Sequence, residues 1–276
     1  MEGPQDDNAG RLRGLRGRKR RAAVVIAVVA LVSLAAVACS STNAEQPASE
    51  DPGTTGASPA ASSDPSPTQT ARDVMELQNF ASLEPGTYFV DPDSNDSTPL
   101  RVVYGVPVEG WSSWFGAVKS SGDEHVAVSI TTVTNLVRHG CRDHSPADPP
   151  VGSTVDDLAA ALADLAPFRV TSPPEDVTIY GYSGKHLELT VPDLPVGGNP
   201  HDLRFIGCVD GDLYSWISPP NEGAFNGYTD SGYREEFWIL DVEGTRLMIV
   251  AHRSAGAPRE DLPELRAILD SIRIEP

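Results

Sequence analysis

The sequence predicts an α+β fold, in which two main helices pack on a mostly antiparallel sheet. Two observations lead to this prediction. Many consecutive segments are rich in β-branched and aromatic residues and are joined by short turns, which is typical of antiparallel strands. Only two segments, Thr154–Ala166 and Glu260–Ser271, carry apolar residues at the spacing of an amphipathic helix. Asp73–Pro276 is long enough to form a single domain with its own core.

Local signals place the elements along this domain. The predicted strands are Glu84–Val90, Pro99–Val106, Trp114–Lys119, Glu124–Thr134, Phe168–Thr171, Val177–Tyr180, Lys185–Val191, Arg204–Val209 and Leu213–Ser218. Ser153 and Asp156 resemble a capping box at the start of the first helix, and Pro167 ends that helix. Phe237–Val250 reads as a tight hairpin that turns at Glu243-Gly244.

Two further segments lie beside these elements. Pro192–Asp202 contains a Gly-Gly-Asn-Pro run and reads as a loop between strands. Ile272–Ile274 follows the second helix and reads as an edge strand.

A short secretory signal precedes the domain. Seven arginines and lysines between Arg11 and Arg21 lead into the uncharged run Ala22–Val37, which is shorter than the roughly 20 residues that span a bilayer. Leu34–Cys39 resembles the bacterial lipobox, which implies that residues 1–38 are removed and that Cys39 is acylated. The alternative is an uncleaved signal anchor. Both interpretations place the rest of the chain outside the cytoplasm, since the basic residues stay inside.

The segment between the signal and the domain is predicted to be a disordered tether. Ser40–Arg72 contains no Val, Leu, Ile, Met or aromatic residue and is rich in Ser, Thr, Pro and Ala. Such a segment cannot bury enough apolar surface to offset the entropy of ordering it. We therefore expect residues 39–72 to hold the domain away from the outer face of the cytoplasmic membrane, attached through the lipid on Cys39.

Charge excludes one class of partner. The chain has 21 basic and 39 acidic residues; without the seven basic and three acidic residues of the signal, 14 and 36 remain, a net charge of −22. So acidic a protein repels phosphate backbones, and we expect no nucleic-acid partner. Abundant Ala, Gly, Pro and Arg favour a GC-rich, actinobacterial source.

Cysteine usage agrees with an oxidising compartment. If Cys39 is lipidated, Cys141 and Cys208 remain, and an even pair outside the cytoplasm is most simply a disulfide. Two separate buried thiols are the alternative.

Both ends of the domain resemble a known family. Val106-Pro107 with Gly110-Trp111, and the ending Leu265–Ile272, are similar to the start and finish of Mog1/PsbP-like domains, which include mycobacterial LpqN-type lipoproteins. The resemblance implies an α/β/α sandwich and a protein that binds or assists other components. It supplies no catalytic residues, because the family shares none.

Three clusters suggest chemistry, and each has a simpler interpretation. His139–His144 holds two imidazoles and a thiol, but a disulfide at Cys141 would remove the thiolate that zinc prefers. Asp91, Asp93 and Asn95 begin like a calcium loop, yet the glycine and glutamate that complete that motif are missing. Ser183 and His186 lie in a run that departs from the nucleophile-elbow motif. We therefore predict no metal, no cofactor and no catalytic residue.

Aromatic residues near a long loop are the most suggestive feature. The loop Pro219–Gly232 joins two strong strand regions and is long for a hairpin connection, as binding loops can be. The candidate ligand-binding residues are Trp216, Phe225, Asn226, Tyr228 and Tyr233. Such rings could stack on a sugar or hold an acyl chain, or they could belong to the core.

Three classes of function follow. We expect a non-enzymatic, lipid-anchored cell-envelope protein that binds a cell-wall, lipid or protein partner. The alternatives are an envelope hydrolase, which needs a serine or histidine beside a carboxylate, and a structural or regulatory subunit of a membrane complex.

Overall fold

The computed structural model describes residues 70–93, 95, 99–199, 202–218, 225–228 and 230–276. The predicted signal, Cys39 and nearly all of the predicted tether lie outside these ranges. The chain divides into two compact units. Every described residue belongs to the first unit, and the second unit, Gly17–Thr68, lies outside the described part. None of the helices in these ranges has the length and apolar character needed to cross a membrane.

Strands dominate the described part of the chain. The first nine strands are β1 Arg72–Asp73, β2 Ser82–Leu83, β3 Gly86–Val90, β4 Arg101–Val106, β5 Trp111–Ser113, β6 Gly116–Ser121, β7 Glu124–Thr132, β8 Asn135–His139 and β9 Asp143–Pro146. The others are β10 Arg169–Ile179, β11 Tyr182–Thr190, β12 Val196–Asn199, β13 Asp202–Phe205, β14 Leu213–Ile217, β15 Phe225–Tyr228, β16 Arg234–Val242, β17 Thr245–Arg253 and β18 Arg273–Glu275. The two helices are α1 Val155–Ala163 and α2 Asp261–Asp270. These elements confirm the predicted α+β class.

An eight-stranded antiparallel sheet forms the centre of the domain. Its strand order is β10-β11-β16-β17-β7-β6-β5-β2. Two four-stranded sheets, β1-β3-β4-β18 and β15-β14-β8-β9, and the small hairpin β12-β13 complete the strands. The β16–β17 hairpin turns at Glu243 and Gly244, which both have positive φ, as the sequence predicts.

Each face of the central sheet is covered by one helix and one smaller sheet. On one face, Ile249 and Leu240 pack with Tyr104 of β4 and with Leu265 and Ile268 of α2. The opposite face carries a second apolar cluster, in which α1, the central sheet and β14 meet. Its buried members are Val133, Leu136, Leu158, Ala159, Leu162, Leu187, Leu189, Trp216, Phe237, Ile239, Met248 and Val250. The two helices therefore lie on opposite faces of the central sheet.

The helices begin and end close to their predicted bounds. Thr154 caps α1: its side chain accepts from the Asp157 backbone N–H, and the Asp157 carboxylate accepts from the Thr154 N–H. The capping box thus lies one residue beyond the predicted Ser153 and Asp156. α1 stops at Ala163, short of the predicted end at Ala166, because Asp164 already forms its C-cap.

One strand differs from its prediction because of its place in the sheet. β10 is continuous, whereas the sequence predicts two strands separated by Pro173 and Pro174. Proline lacks a backbone N–H, and it is tolerated in a strand mainly at a sheet edge or a bulge. β10 is the edge strand, and its register with β11 shifts between Ser172 and Glu175, so the prolines fit there.

Several strand pairs were not predicted. The loop predicted for Pro192–Asp202 is instead the hairpin β12–β13, in which Val196 pairs with Phe205. β8 and β9 form another hairpin, and its turn contains Cys141. The predicted loop Pro219–Gly232 contains β15, which pairs with β14. These strands are short, so no two-residue hydrophobic period marks them in the sequence.

Candidate functional site

The sequence-predicted binding residues converge at one end of the central sheet. Trp216 lies in β14, Asn226 and Tyr228 lie in β15, and Tyr233 directly precedes β16. Phe225 begins β15, and its side chain is outside the described part of the structure, as are residues 219–224 and 229 of the predicted binding loop. Trp216, Tyr228 and Tyr233 are buried, whereas Asn226 is half-buried.

A buried carboxylate lies at the centre of this group. The side chain of Glu235 in β16 is only 3% exposed. It accepts a hydrogen bond from Asn226 Nδ2 at 2.8 Å and another, short one from the Tyr228 hydroxyl. A buried carboxylate without such donors would cost several kcal/mol, roughly, in desolvation. Two of the predicted binding residues therefore hold a charge that the sequence analysis did not identify.

An imidazole pairs with this carboxylate. His252 of β17 lies directly opposite Glu235 across the hairpin, and its Nδ1 is 2.8 Å from Glu235 Oε1. The two atoms are close enough for an ion pair, but the ring is turned so that Nδ1 and the carboxylate oxygen are not aligned as a hydrogen bond. On the other side of the ring, Nε2 is 2.7 Å from Oγ of Ser129 in β7. Ser129, His252 and Glu235 therefore form a continuous polar row across three strands.

The two tyrosines stay protonated in this environment. Burial, followed by the nearby Glu235 charge, raises the pKa of Tyr228 well above its usual value, and the same two causes raise the pKa of Tyr233. The protonated hydroxyl of Tyr228 can donate to Glu235, and it lies 3.0 Å from Ser215 Oγ. Tyr233 lies 2.7 Å, hydroxyl to Nε2, from His125. The network thus links the central sheet to β14 and β15.

Two groups at the network are half-exposed. Trp114, between β5 and β6, places its indole edge against the His252 ring, with 5.4 Å between the ring centroids. Asn226 contacts Glu235, as described above, and is also only partly buried. Each of them touches one member of the Glu235–His252 pair and also reaches solvent. This gives the site an aromatic surface and an amide, the groups that commonly recognise a sugar or a polar lipid head.

Glu235 and His252 were not predicted as site residues, but the alternation of buried and exposed residues along their strands indicates them. Glu235 lies two residues before Phe237 and His252 two residues after Val250, so each shares the buried face of its strand. A charged or titratable residue on the same strand face as buried apolar residues is expected to be buried and to have a polar partner. The pairing of the two strands was predicted, but the third partner, Ser129, is 106 positions or more away in sequence.

The other candidate clusters have local structural roles. His139 Nδ1 accepts the backbone N–H groups of Cys141 and Arg142, both at 3.1 Å, within the β8–β9 turn. Asp91 and Asp93 accept backbone N–H groups two residues further on, which is the pattern of successive Asx turns.

Ser183 and His186 both lie in β11 and do not form a shared site. Ser183 pairs with Thr178 of β10. His186 contacts carboxylates of Glu175 and Glu236 instead of a serine.

The predicted disulfide is present. Cys141 and Cys208 are bonded, which confirms this pairing and excludes two separate thiols. The bond lies beside the buried cluster of Phe205, Leu213 and Tyr228. It therefore joins the β8–β9 turn to the turn after β13, next to the network.

Comparisons with known proteins find no matching family and one weak structural similarity. No family model matches the chain, and no curated protein matches it. One solved structure is similar, that of LpqN, "involved in cell envelope biogenesis of Mycobacterium tuberculosis". It is 10% identical, the match covers 71% of this chain and 90% of that one, and the TM-score is 0.28. A similarity at this TM-score carries no argument about the present chain.

Proposed function

We propose that the chain is a lipid-anchored, extracytoplasmic protein that binds a component of the cell envelope. The signal-like segment that ends at Cys39 supports the anchor, and the Cys141–Cys208 bond supports an oxidising compartment. The domain division that this requires is residues 1–38 as signal, 39–72 as tether and 73–276 as the binding domain, except that Arg72 pairs with Tyr88 in the β1–β3 ladder and so belongs to the domain.

One observation carries the choice of site. Trp114 and Asn226 are half-exposed, and each contacts one member of the buried Glu235–His252 pair. The pair fixes both groups in place, so a ligand meets a preorganised aromatic surface and amide. We therefore propose that a glycan or a polar lipid head binds there, where β15, which lies within the predicted loop Pro219–Gly232, leads towards β16. Trp216, Tyr228 and Tyr233, which are buried, would support this surface from within.

A thermal-shift screen tests this proposal. The protein is heated with separate fractions of envelope glycans and lipids, and a ligand at about 100 times its Kd should add about 2.7 kcal/mol to the free energy of unfolding. The shift should shrink in Trp114→Ala and Asn226→Ala, each measured against its own ligand-free melting temperature. Met75→Ala, which changes an exposed residue elsewhere, is the control. A shift that is equal in all four proteins would place the ligand elsewhere, and no shift from any fraction would favour a protein partner.

The row of Ser129, His252 and Glu235 favours a second candidate function, an envelope hydrolase. Ser129 Oγ and His252 Nε2 are 2.7 Å apart and the Glu235 carboxylate lies at the other ring nitrogen, the order of groups in a serine-hydrolase triad. Ser129 is only 3% exposed, so the proposal of a binding protein comes first. A fluorophosphonate probe distinguishes the two: a hydrolase is labelled at Ser129 and the Ser129→Ala variant is not. A wild-type chain that stays unlabelled rules out this candidate.

A further inference from the structure

The opposite face of the central sheet carries a second polar cluster. His186 and Glu188 are two residues apart in β11 and therefore share a face, and the register places Glu236 of β16 directly opposite Glu188. One ligand atom from each of these three residues lies within 4.8 Å of the other two. We infer that His186, Glu188 and Glu236 form a binding site for a divalent transition-metal ion.

The surroundings of His186 support this site. Its Nε2 lies 3.1 Å from Glu236 Oε1, while its Nδ1 lies 3.3 Å from the carboxylate of Glu175 in the neighbouring strand β10. A metal-binding histidine commonly donates its second ring N–H to a carboxylate, which fixes the tautomer and directs the free nitrogen to the ion. Glu175 has this position, and the ring packs against Trp238 with 5.4 Å between centroids. The imidazole is thus oriented from two sides.

The charges on the two glutamates also favour a cation. Glu188 and Glu236 face each other across paired strands, where two like charges repel. Arg266 Nη2 reaches Glu236 at 3.4 Å, but its side chain is 55% exposed, so solvent screens this contact. Thr171 donates only a long hydrogen bond, 3.4 Å, to Glu188. A divalent ion between the carboxylates would remove the repulsion.

A groove beside the cluster leaves room for further ligands. The groove has a volume of about 320 Å³, and Glu188 and Glu236 line it together with leucines of α2 and with Arg234, Arg253 and Arg266. All three proposed ligands are half-buried. An ion held by three side chains would therefore keep a coordination position open towards the groove for water or another ligand.

The ligand set indicates the class of metal. One imidazole and two carboxylates suit Zn²⁺ and related first-row ions, which bind nitrogen and oxygen at about 2.0–2.2 Å. The three ligand atoms already lie within 4.8 Å of one another, close to the separation that a shared ion at these bond lengths requires. The site lies on the face opposite the Ser129–His252–Glu235 row and does not depend on the proposed binding function.

Metal titration of the full-length chain in detergent tests this inference. After treatment with a chelator, the protein is titrated with Zn²⁺ by calorimetry and with Co²⁺ by absorption spectroscopy. We expect one equivalent to bind. Because all three side chains are ligands, the affinity should fall at least about tenfold in each of His186→Asn, Glu188→Gln and Glu236→Gln. Glu175→Gln should weaken binding while keeping one equivalent, as a residue that only orients His186 would.

A matched control separates this site from other ligands of the chain. Glu243→Gln removes one carboxylate from the turn of the same β16–β17 hairpin and should bind the ion as the wild type does. Circular dichroism checks that every variant is folded. Because there are three independent ligand variants, the test still works if one of them does not fold. Absence of binding in the wild type, or an affinity unchanged in His186→Asn and Glu188→Gln, would overturn the inference.

Discussion

At the scale of single residues, burial disfavours the charged form of His125. His125 in β7 lies beside the network, with its Nε2 2.7 Å from the Tyr233 hydroxyl. Burial lowers the pKa of His125 below its usual 6.5, and the neighbouring His252 lowers it further. Asp230 and Glu124 act in the opposite direction and more weakly. His125 is therefore held neutral in the folded protein at a pH where it would bind a proton in the unfolded chain.

This shift predicts a loss of stability in mild acid. Below about pH 6.5 the unfolded chain binds a proton that the folded protein does not, so the free energy of unfolding falls as the pH is lowered towards the folded-state pKa. One proton can contribute at most about 1.4 kcal/mol per pH unit. Urea unfolding between pH 7.5 and 5.5 measures the effect. The slope should be smaller in His125→Asn; an equal slope would assign the pH dependence to another group.

At the scale of elements, the first helix shows how a local motif supports packing. α1 buries Leu158, Ala159 and Leu162 in the second apolar cluster, on the face of the central sheet opposite α2. Its capping box satisfies backbone N–H groups that a helix leaves free at its start. Hydrogen bonds from Thr154 lower the pKa of Asp157, whose carboxylate is the second half of the box. The cap therefore fixes where the buried stripe begins.

Removing the cap should weaken the protein without changing its fold. Thr154→Ala deletes the hydroxyl that accepts the Asp157 N–H, and we expect the free energy of unfolding to fall by about 1 kcal/mol. Thr154→Ser keeps an accepting hydroxyl and should stay near the wild type. Chemical denaturation of the three proteins gives the comparison. Equal losses in both variants would point to the threonine methyl group instead of the cap.

At the scale of the whole molecule, the disulfide constrains a long stretch of chain. Cys141 and Cys208 are 67 positions apart, and the segment between them contains α1 and five strands, β9 to β13. The Val209 N–H also donates to the Cys141 carbonyl at 2.8 Å, so the two turns are joined twice. Closing a loop of this length lowers the entropy of the unfolded chain.

Loss of the bond should therefore destabilise the whole domain. In the chain-entropy description a loop of this size stabilises by about 4 kcal/mol, and a double Cys141→Ser, Cys208→Ser variant should lose up to that amount. Urea unfolding with and without a reductant measures the loss. The reductant should act on the wild type alone, since the variant has no bond there to reduce; a double variant as stable as the oxidised wild type would contradict the prediction.

Local signals in the sequence determined the fold class, both helices, the Phe237–Val250 hairpin and the cysteine pairing. The helices and the hairpin depend on neighbours in the chain, namely the spacing of leucines and a Glu-Gly turn, whereas the cysteine pairing follows because only two thiols remain if Cys39 is lipidated. The sequence also indicated Trp216, Asn226, Tyr228 and Tyr233, and the structure brings these four side chains to one end of the sheet. The proposed anchor at Cys39 remains a prediction, because it lies outside the described residues.

Only the tertiary structure decided which distant side chains meet. Alternation along a strand fixes the face of a residue, but the register between strands fixes its partner. Register between strands that are not neighbours in the chain places Glu188 opposite Glu236, and strand order brings Ser129 to His252. Strand order likewise makes β10 an edge, where Pro173 and Pro174 are tolerated. Both proposed sites arise from such pairings, because contacts between remote strands form only when the whole sheet has assembled.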